Sequence, residues 1–201
     1  VEGRTTEDKG GGKEGTIKTL GRVGSLSRAH ADRYELPLVE RVEFEPQDSP
    51  IDPYALGLLL GDGCFSGRTN PSFCTADPEL AEALESGLDG IELVRKGAYG
   101  YVLRHPAGGR GGLRVANPVT SALRELGLNG AKSATKFVPD VYKFDSARVR
   151  IWLLQGLLDS DAGPITRAGR SCRVQYSTTS PNLRDDVVFL VQSLGGVATS
   201  R

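Results

Sequence analysis

The chain has 201 residues, of which 38% are hydrophobic and 25% charged, a composition typical of a globular protein with one or two domains. Lysine plus arginine total 25, as do aspartate plus glutamate, so the formal net charge of zero argues against a histone-like or polybasic protein. No apolar run approaches the roughly 18 residues of a membrane span, and no signal-peptide pattern is present. Three cysteines without Cys-x-x-Cys spacing favour a reducing, cytoplasmic compartment over a zinc site or a disulfide framework.

The first fifty residues differ from the rest. They begin Val-Glu-Gly-Arg, and because the chain lacks methionine we expect a piece of a longer protein. Residues 1–30 are polar and glycine-rich, so we expect a flexible segment or the edge of another domain. Evenly spaced apolar residues from Tyr34 to Phe44 predict an edge strand or an extended connector, and residues 46–50 a linker.

Helices are predicted where a capping residue precedes a proline, because the cap accepts an unpaired backbone N–H and proline suits the first helical position. These starts are Asp52-Pro53, Asp77-Pro78, Asn117-Pro118 and Ser180-Pro181, and a further long helix is predicted from Asp145-Ser146 to Asp161. Short extended segments are predicted at 64–66, 72–75, 91–96, 101–105, 113–115, 165–166, 172–178 and 196–201. Helices separated by antiparallel hairpins predict an α+β fold.

The sequence also contains an internal repeat. Phe73–Leu80 is similar to Tyr176–Leu183, 103 positions later, and Gly57–Gly63 is similar to Gly156–Ala162, 99 positions later. We therefore predict two halves related by a pseudo-two-fold axis. The predicted divisions are a leading segment at 1–50, a first repeat at 51–144 and a second repeat at 145–201.

The two repeated helices carry small residues four positions apart, which places them on one face of each helix. These residues are Gly57, Gly61, Gly156 and Ser160. Glycine in a helix costs about 1 kcal/mol relative to alanine, so its repeated use predicts a close approach of two helix backbones. The first helix is apolar from Ala55 to Leu60, which predicts burial on all sides.

Each repeated helix ends in an aspartate, Asp62 in the first and Asp161 in the second. A carboxylate in the last turn faces the negative end of the helix dipole, which is unfavourable by about 0.3–1 kcal/mol. Two such carboxylates would also repel, and a hard divalent cation with oxygen ligands would neutralise both. An exposed aspartate at a helix end is the alternative for either residue alone, and the matched pair favours a metal site.

These segments resemble a known family. Leu58-Leu59-Leu60-Gly61-Asp62-Gly63 and Leu154–Asp161 resemble the two copies of the LAGLIDADG dodecapeptide. Over residues 34–201 the chain is similar to double-motif LAGLIDADG (DOD-type) homing endonucleases of inteins. The resemblance implies two αββαββα halves that meet at the motif helices, with antiparallel sheets forming a saddle on double-stranded DNA. It also implies that Asp62 and Asp161 are catalytic and bind Mg²⁺, which activates water for phosphodiester cleavage.

The resemblance extends to Lys136-Phe137-Val138-Pro139, which is similar to the family block that carries an active-site lysine. Lys136 is therefore a candidate for charge stabilisation or for positioning the attacking water, with an ordinary surface lysine as the alternative. The family further implies a nucleoid-associated monomer without a membrane partner, inserted in a host protein (the extein) such as a DNA-replication or repair ATPase. Ala162 departs from the motif, and we expect the second half to lack its final strand, helix and lysine block, and the chain to lack the splicing residues.

Basic residues gather in the predicted hairpins. Residues 51–201 carry 17 basic and 15 acidic side chains, whereas residues 1–50 carry 8 and 10. Alternate residues of a strand share a face and can reach bases and phosphates, although solvated loop charges are the alternative for any one of them. The DNA-binding candidates are Arg68, Arg95, Lys96, Arg104, Arg110, Arg114, Arg167, Arg170 and Arg173.

We therefore predict a site-specific DNA endonuclease, weak or inactive in this chain alone because its second sheet is incomplete. Two alternatives remain open. One is a DNA-binding regulator or RNA-splicing maturase that uses the same fold without cleavage. The other is a decayed, inactive remnant of a protein-splicing element.

Overall fold

The computed structural model describes residues 40–66, 70–108, 115–166 and 172–200, together with the backbone of strands at 2–5, 17–19 and 34–35. The chain divides into two compact units, residues 1–40 and residues 41–201. Several predicted DNA contacts lie outside the described residues, namely Arg68, Arg110, Arg114, Arg167 and Arg170.

The first unit contains a three-stranded antiparallel sheet in the order β2-β1-β3. Its strands are β1 (Glu2–Thr5), β2 (Ile17–Thr19) and β3 (Tyr34–Glu35). Of the two alternatives for residues 1–30, a flexible segment is therefore wrong for β1 and β2, which pair backbone with backbone, and the edge of another domain stays a prediction. Residues 40–49 are irregular, as expected of a connector rather than of a strand that continues to Phe44.

The second unit alternates helices with antiparallel strands. The helices are α1 (Pro53–Asp62), α2 (Pro78–Ser86), α3 (Pro118–Glu125), α4 (Asp140–Lys143), α5 (Ala147–Asp161) and α6 (Pro181–Ser193), with a 3-10 turn at Ser133–Thr135. The strands are β4 (Gly63–Cys64), β5 (Ser72–Cys74), β6 (Glu92–Lys96), β7 (Gly100–Arg104), β8 (Ala162–Ile165) and β9 (Arg173–Tyr176). One sheet has the order β4-β5-β7-β6, and β8 pairs with β9. The α+β class is confirmed: α1 to α3 and their strands follow the order αββαββα, and α5 to α6 the order αββα.

The helix starts follow the predicted cap-then-proline pattern. The Asp52 side chain accepts a hydrogen bond from the Ala55 N–H at 2.9 Å, and Ser180 Oγ accepts one from the Leu183 N–H at 3.2 Å. The same pattern begins α2 and α3. Each cap contributes about 1 kcal/mol by pairing a donor that the helix itself leaves free.

Helix α1 lies at the centre of the core, as its apolar sequence predicts. Leu56, Leu58 and Leu59 have no exposed surface, nor do Leu153 and Leu157 of α5, which belong to the same cluster of buried side chains. Burying a leucine contributes about 1.5–3 kcal/mol, so the packing of α1 against α5 is a main source of the stability of this unit.

A buried arginine binds the connector, residues 40–49, to this core. The Arg150 guanidinium on α5 donates hydrogen bonds to the Asp145 carbonyl at 2.9 Å, to Ser193 Oγ at 2.5 Å and to the Val42 carbonyl. The Val42 N–H in turn donates to the Ser193 carbonyl at 2.8 Å. Arg150 is fully buried, so these acceptors replace the water that the charge gives up on folding.

Two details differ from prediction. Residues 196–200 form no strand, because the chain folds back on the end of α6, where the Gly196 N–H donates to the Val191 carbonyl at 2.9 Å. Helix α4 was not predicted, because it has only four residues and no capping side chain that would indicate a helix start.

Candidate functional site

The candidate site begins with the contact between α1 and α5. A Cβ atom added to Gly57 would lie 2.4 Å from the Leu153 carbonyl oxygen and 2.9 Å from the Gly156 Cα. A Cβ added to Gly156 would lie 2.3 Å from the Tyr54 carbonyl oxygen. Real Cβ atoms do not approach other atoms so closely, so backbone touches backbone only because both positions are glycine.

The second pair of small residues lies at the carboxyl ends of the same helices. A Cβ on Gly61 would lie 2.0 Å from Ser160 Oγ and 3.3 Å from Asp161 Oδ2. Ser160 Oγ donates to its own helix, toward the carbonyls of Gly156 and Leu157, at 3.0 Å each. The structure thus brings all four predicted small residues to the interface, and it places the Asp161 carboxylate over the last turn of α1, beside Asp62.

We call Asp62 and Asp161 the carboxylate pair. Both side chains are half-buried at the ends of their helices. Burial raises the pKa of each, and the charge of Asp161 raises that of Asp62 further. Lys136 opposes both shifts without cancelling them. The pair therefore keeps an excess of negative charge that an added cation would relieve.

Lys136 is not the surface lysine considered above, because only 3% of it is exposed. Its Nζ donates to the carbonyls at the end of α1 and the start of β4: Leu59 at 3.2 Å, Leu60 at 2.8 Å, Gly61 at 2.9 Å and Gly63 at 2.7 Å. A cation at this end of a helix is favoured by the helix dipole. Burial lowers the Lys136 pKa to about 8, against the opposing effect of the carboxylate pair.

Helix α6 holds the backbone around Lys136. Ser180 Oγ donates to the Lys136 carbonyl at 2.5 Å, and Asp186 Oδ2 accepts from the Val138 N–H at 2.8 Å. The other Asp186 oxygen accepts from Lys143 Nζ at 2.8 Å. Helix α6 and its cap, in the second repeat, therefore hold the lysine whose ammonium binds the carbonyls at the end of α1, in the first repeat.

One further polar group near this site was missed from the sequence. The Tyr176 hydroxyl on β9 is buried and has no hydrogen-bond partner among the described residues. Burial raises its pKa, and the charges of Asp161 and Asp62 raise it further. The available signal was the repeat itself, in which Tyr176 stands where the first half has Phe73.

The donor set of the pair suits a hard cation. Within the described ranges no cluster of three or more His, Cys, Asp or Glu side chains is present, so the described part of the site offers the two carboxylates of the pair. Mg²⁺ is commonly bound by one or two carboxylates, with water and substrate phosphates as the remaining ligands. Asp62 and Asp161 fit that role.

The basic candidates that are described divide between two faces. In the first sheet Lys96 and Arg104 are exposed and share a face, opposite to the buried Leu103. Arg95 belongs to the other face and donates to the Ala98 carbonyl at 3.0 Å, so it does not join them. The one-residue alternation of a strand explains the separation.

In the second hairpin Arg173 is exposed opposite Ile165, on the face away from Tyr176. A shallow groove on this hairpin reaches Asp161. Its lining includes Asp161, Gly163, Ile165, Gln175 and Ser177. The open hairpin face and the carboxylate of Asp161 therefore border the same space.

Comparison with protein-family models finds no match for this chain. The chain is 30% identical over 148 residues to the replicative DNA helicase DnaB of Synechocystis sp.. That alignment covers 70% of this chain and 17% of the helicase, so the chain spans about a sixth of the length of this relative. No helix in the described part of the chain is long and apolar enough to cross a membrane.

Proposed function

We propose that the chain is the DNA-cleaving domain of a homing endonuclease of the LAGLIDADG type, which hydrolyses phosphodiester bonds of double-stranded DNA at a specific site. The observation that carries the proposal is the carboxylate pair at the joined ends of α1 and α5, where Gly61 lies against Ser160 and Asp161. Two negative charges held together by backbone packing are costly to the fold, which is typical of a site shaped for a ligand.

Each residue of the site has a proposed task. Asp62 and Asp161 hold Mg²⁺, which when bound supplies activation of water and stabilisation of the leaving oxygen. Lys136 acts as a positioning residue, because its ammonium is engaged by four carbonyls at the end of α1. It fixes the backbone from which Asp62 projects and adds positive charge near the scissile phosphate.

Exposed basic side chains on the two sheets that begin directly after Asp62 and Asp161 support DNA as the substrate. Lys96 and Arg104 lie on the open face of the first sheet, and Arg173 on the open face of the second hairpin. Phosphate contacts of this kind position a protein on DNA, and base contacts from neighbouring strand residues then select the sequence. The two halves would each serve one strand within a monomer.

The similarity to a replicative DNA helicase supports a host of that class rather than a helicase activity of this chain. The sequence contains no G-x-x-x-x-G-K-[ST] segment, the phosphate-binding loop on which many NTP-driven motors depend. A segment inserted within a host helicase would share sequence with a small part of the host chain and lack its motor. We propose such a host and a nucleoid-associated site of action.

A second candidate is a DNA-binding regulator or maturase that uses the same fold without cleaving. The hydrogen bonding of Lys136 favours it, because an ammonium bound to four carbonyls is not free to contact a phosphate. An inactive remnant differs from both in that it would neither cleave nor bind.

Strand cleavage tests the proposal. The substrate is a supercoiled plasmid carrying the coding sequences that flank this one, joined without it, and the protein is the full-length parent in Mg²⁺ or Ca²⁺. We expect cleavage in Mg²⁺ alone and a loss of at least about 100-fold in Asp62→Asn and in Asp161→Asn. Asp159→Asn is the matched control, because Asp159 is exposed on α5 and its carboxylate accepts a hydrogen bond from the Tyr54 hydroxyl at 2.9 Å.

The outcomes separate the candidates. Cleavage that survives both substitutions, or that Asp159→Asn removes equally, contradicts the assignment of the carboxylate pair. Binding of the plasmid without cleavage, in the parent and in both variants, supports the regulator instead. Neither binding nor cleavage supports the inactive remnant.

A further inference from the structure

One face of the second hairpin borders the space beside Asp161. Strand pairing places Gly163 opposite Gln175 and Ile165 opposite Arg173. Because side chains alternate along a strand, these two facing pairs share one face of the hairpin. The groove on that face is lined by Asp161 as well as by Gly163 and Gln175. A ligand held at Asp161 would therefore also lie against the hairpin side chains of this face.

The Gln175 side chain offers this groove an amide that is free to bind. It is exposed and makes no hydrogen bond within the described part of the chain. The amide presents a carbonyl acceptor beside an NH₂ donor. Gly163, directly across the hairpin, has no side chain, and a Cβ built there would have no atom within 4 Å. A flat ligand therefore has room to approach the Gln175 amide over strand β8.

The edge of an adenine matches this amide. In the major groove adenine presents an acceptor, N7, beside a donor, the N6 amino group, and a glutamine amide bonds to both at once. Guanine presents two acceptors there, so the same amide cannot satisfy both of them. Ile165, on the same face, is exposed and supplies an apolar surface of the kind that contacts a thymine methyl group. Amide and apolar side chain together favour A·T pairs.

The first half of the repeat lacks this arrangement. The positions equivalent to Gly163 and Gln175 are Cys64 and Ser72, which are paired with each other in the same register. The Cys64 thiol shares a hydrogen bond with the hydroxyl of Ser66 at 3.1 Å. None of these three short side chains carries an amide. A contact of the glutamine type with adenine is therefore available only from the second half at this position of the repeat.

We propose that Gln175 is a specificity-determining residue whose amide reads the adenine of an A·T pair in the major groove, on the Asp161 side of the DNA site. The inference rests on the proposed function. Two strand residues, about 7 Å, separate Gln175 from Ser177, whose N–H donates to the Asp161 carbonyl at 3.3 Å. Base pairs are stacked about 3.4 Å apart, so for a strand that follows the groove the A·T pair lies about two base pairs from the phosphate beside Asp161.

Base-by-base substitution of the DNA site tests this inference. The full-length parent is bound in Ca²⁺ to the uninterrupted site of the cleavage assay and to duplexes that each differ from it by one base pair. For the wild type we expect one A·T pair, about two base pairs from a mapped cut, at which any other pair weakens binding by about 10-fold. Gln175→Ala should bind all four base pairs at that position within about twofold of one another and keep the other preferences.

Gln175→Glu provides a gain of specificity. A carboxylate accepts from the cytosine N4 amino group and has no donor for adenine N7, so this variant should prefer C·G at the same position by about 10-fold. Gln155→Glu is the matched control, because Gln155 is exposed on α5 and the change of charge is the same. It should leave every base preference as in the wild type.

Base preference and cleavage give separate outcomes. A wild type without such an A·T preference, or Gln175→Ala with that preference unchanged, overturns the inference. Loss of every preference at once also overturns it, because the substitution then disturbs the whole interface rather than one contact. A wild type that shows base preferences but cuts no DNA overturns the nuclease function, and the variants then decide the role of Gln175 alone. A parent that binds no DNA overturns both.

Discussion

Replacing Gly57 by alanine should destabilise the protein, although alanine is the better helix former by about 1 kcal/mol. The added Cβ would lie 2.4 Å from the Leu153 carbonyl oxygen, whereas ordinary contacts begin at 3.4 Å. The Leu153 carbonyl belongs to the backbone of the facing helix, so it cannot rotate away as a side chain could. Helices α1 and α5 must therefore separate by about 1 Å, a gap that forfeits about a quarter to a half of the attraction between facing atoms.

The size of the loss follows from these terms. Overpacking a core costs about 1–3 kcal/mol, and contact with backbone places Gly57→Ala at the upper end. Subtracting the helix-propensity gain of about 1 kcal/mol leaves a net loss of about 2 kcal/mol. Urea denaturation followed by circular dichroism should show a midpoint lower by about 1 M, since m is about 2 kcal/mol/M for a domain of this size.

Gly163→Ala is the control, because no atom lies within 4 Å of a Cβ at that position. This substitution should leave the free energy of unfolding unchanged or raise it by up to about 1 kcal/mol, because alanine lowers the conformational entropy of the unfolded chain. A Gly57→Ala midpoint equal to or above that of the wild type would refute the close approach of α1 and α5.

Three further predictions concern the buried charges and the basic faces. Arg150→Ala should cost about 3–5 kcal/mol in urea denaturation, because the carbonyls and the hydroxyl that it pairs are left buried without donors; a loss below about 1 kcal/mol contradicts this. Asp62→Asn should raise the melting temperature at pH 7. Its folded pKa lies above the ordinary value of 3.8, so folding loses stability as the pH rises through that pKa. The asparagine amide does not ionise, so the variant does not lose this stability as the pH rises. Its higher melting temperature relative to the wild type should disappear below pH 3.8, where Asp62 is protonated in both the folded and the unfolded wild type. A lower melting temperature at pH 7 would show that Lys136 dominates instead. Glutamine in place of any one of the exposed basic residues should lower the affinity for DNA. It should also reduce the slope of log Kd against log salt concentration by about 0.9 per lost phosphate contact. Arg184→Gln, which removes an exposed arginine paired with Asp185, should leave that slope unchanged. The basic positions are Lys96, Arg104 and Arg173.

Local sequence signals predict much of the second unit. Cap-then-proline starts place α1, α2, α3 and α6, and the four-residue spacing of small residues predicts the interface of α1 and α5. These features depend on neighbours within one turn of helix. Alternation along β6 could also have separated Arg95 from Lys96, because consecutive strand residues face opposite ways.

Other features depend on residues far apart in the chain. Nothing adjacent to Lys136 indicates that its ammonium meets carbonyls 73 to 77 positions earlier. The strand predicted at 196–201 fails for a related reason, since β-branched and small residues form a strand only where an edge accepts them. Tyr176 could be read as another core aromatic, and its unpaired oxygen becomes visible only in three dimensions.

The bond between Ser180 and Lys136 has a consequence for synthesis. A nascent chain that has emerged only as far as Lys143 contains Asp62 and the lysine, but neither Asp161 nor the helix that anchors the lysine backbone. The carboxylate pair thus cannot form until α5 has been synthesised, and the backbone around Lys136 is not held until α6 follows. On the proposed function, a translation product that stops before α5 therefore lacks one of the two carboxylates that would hold Mg²⁺.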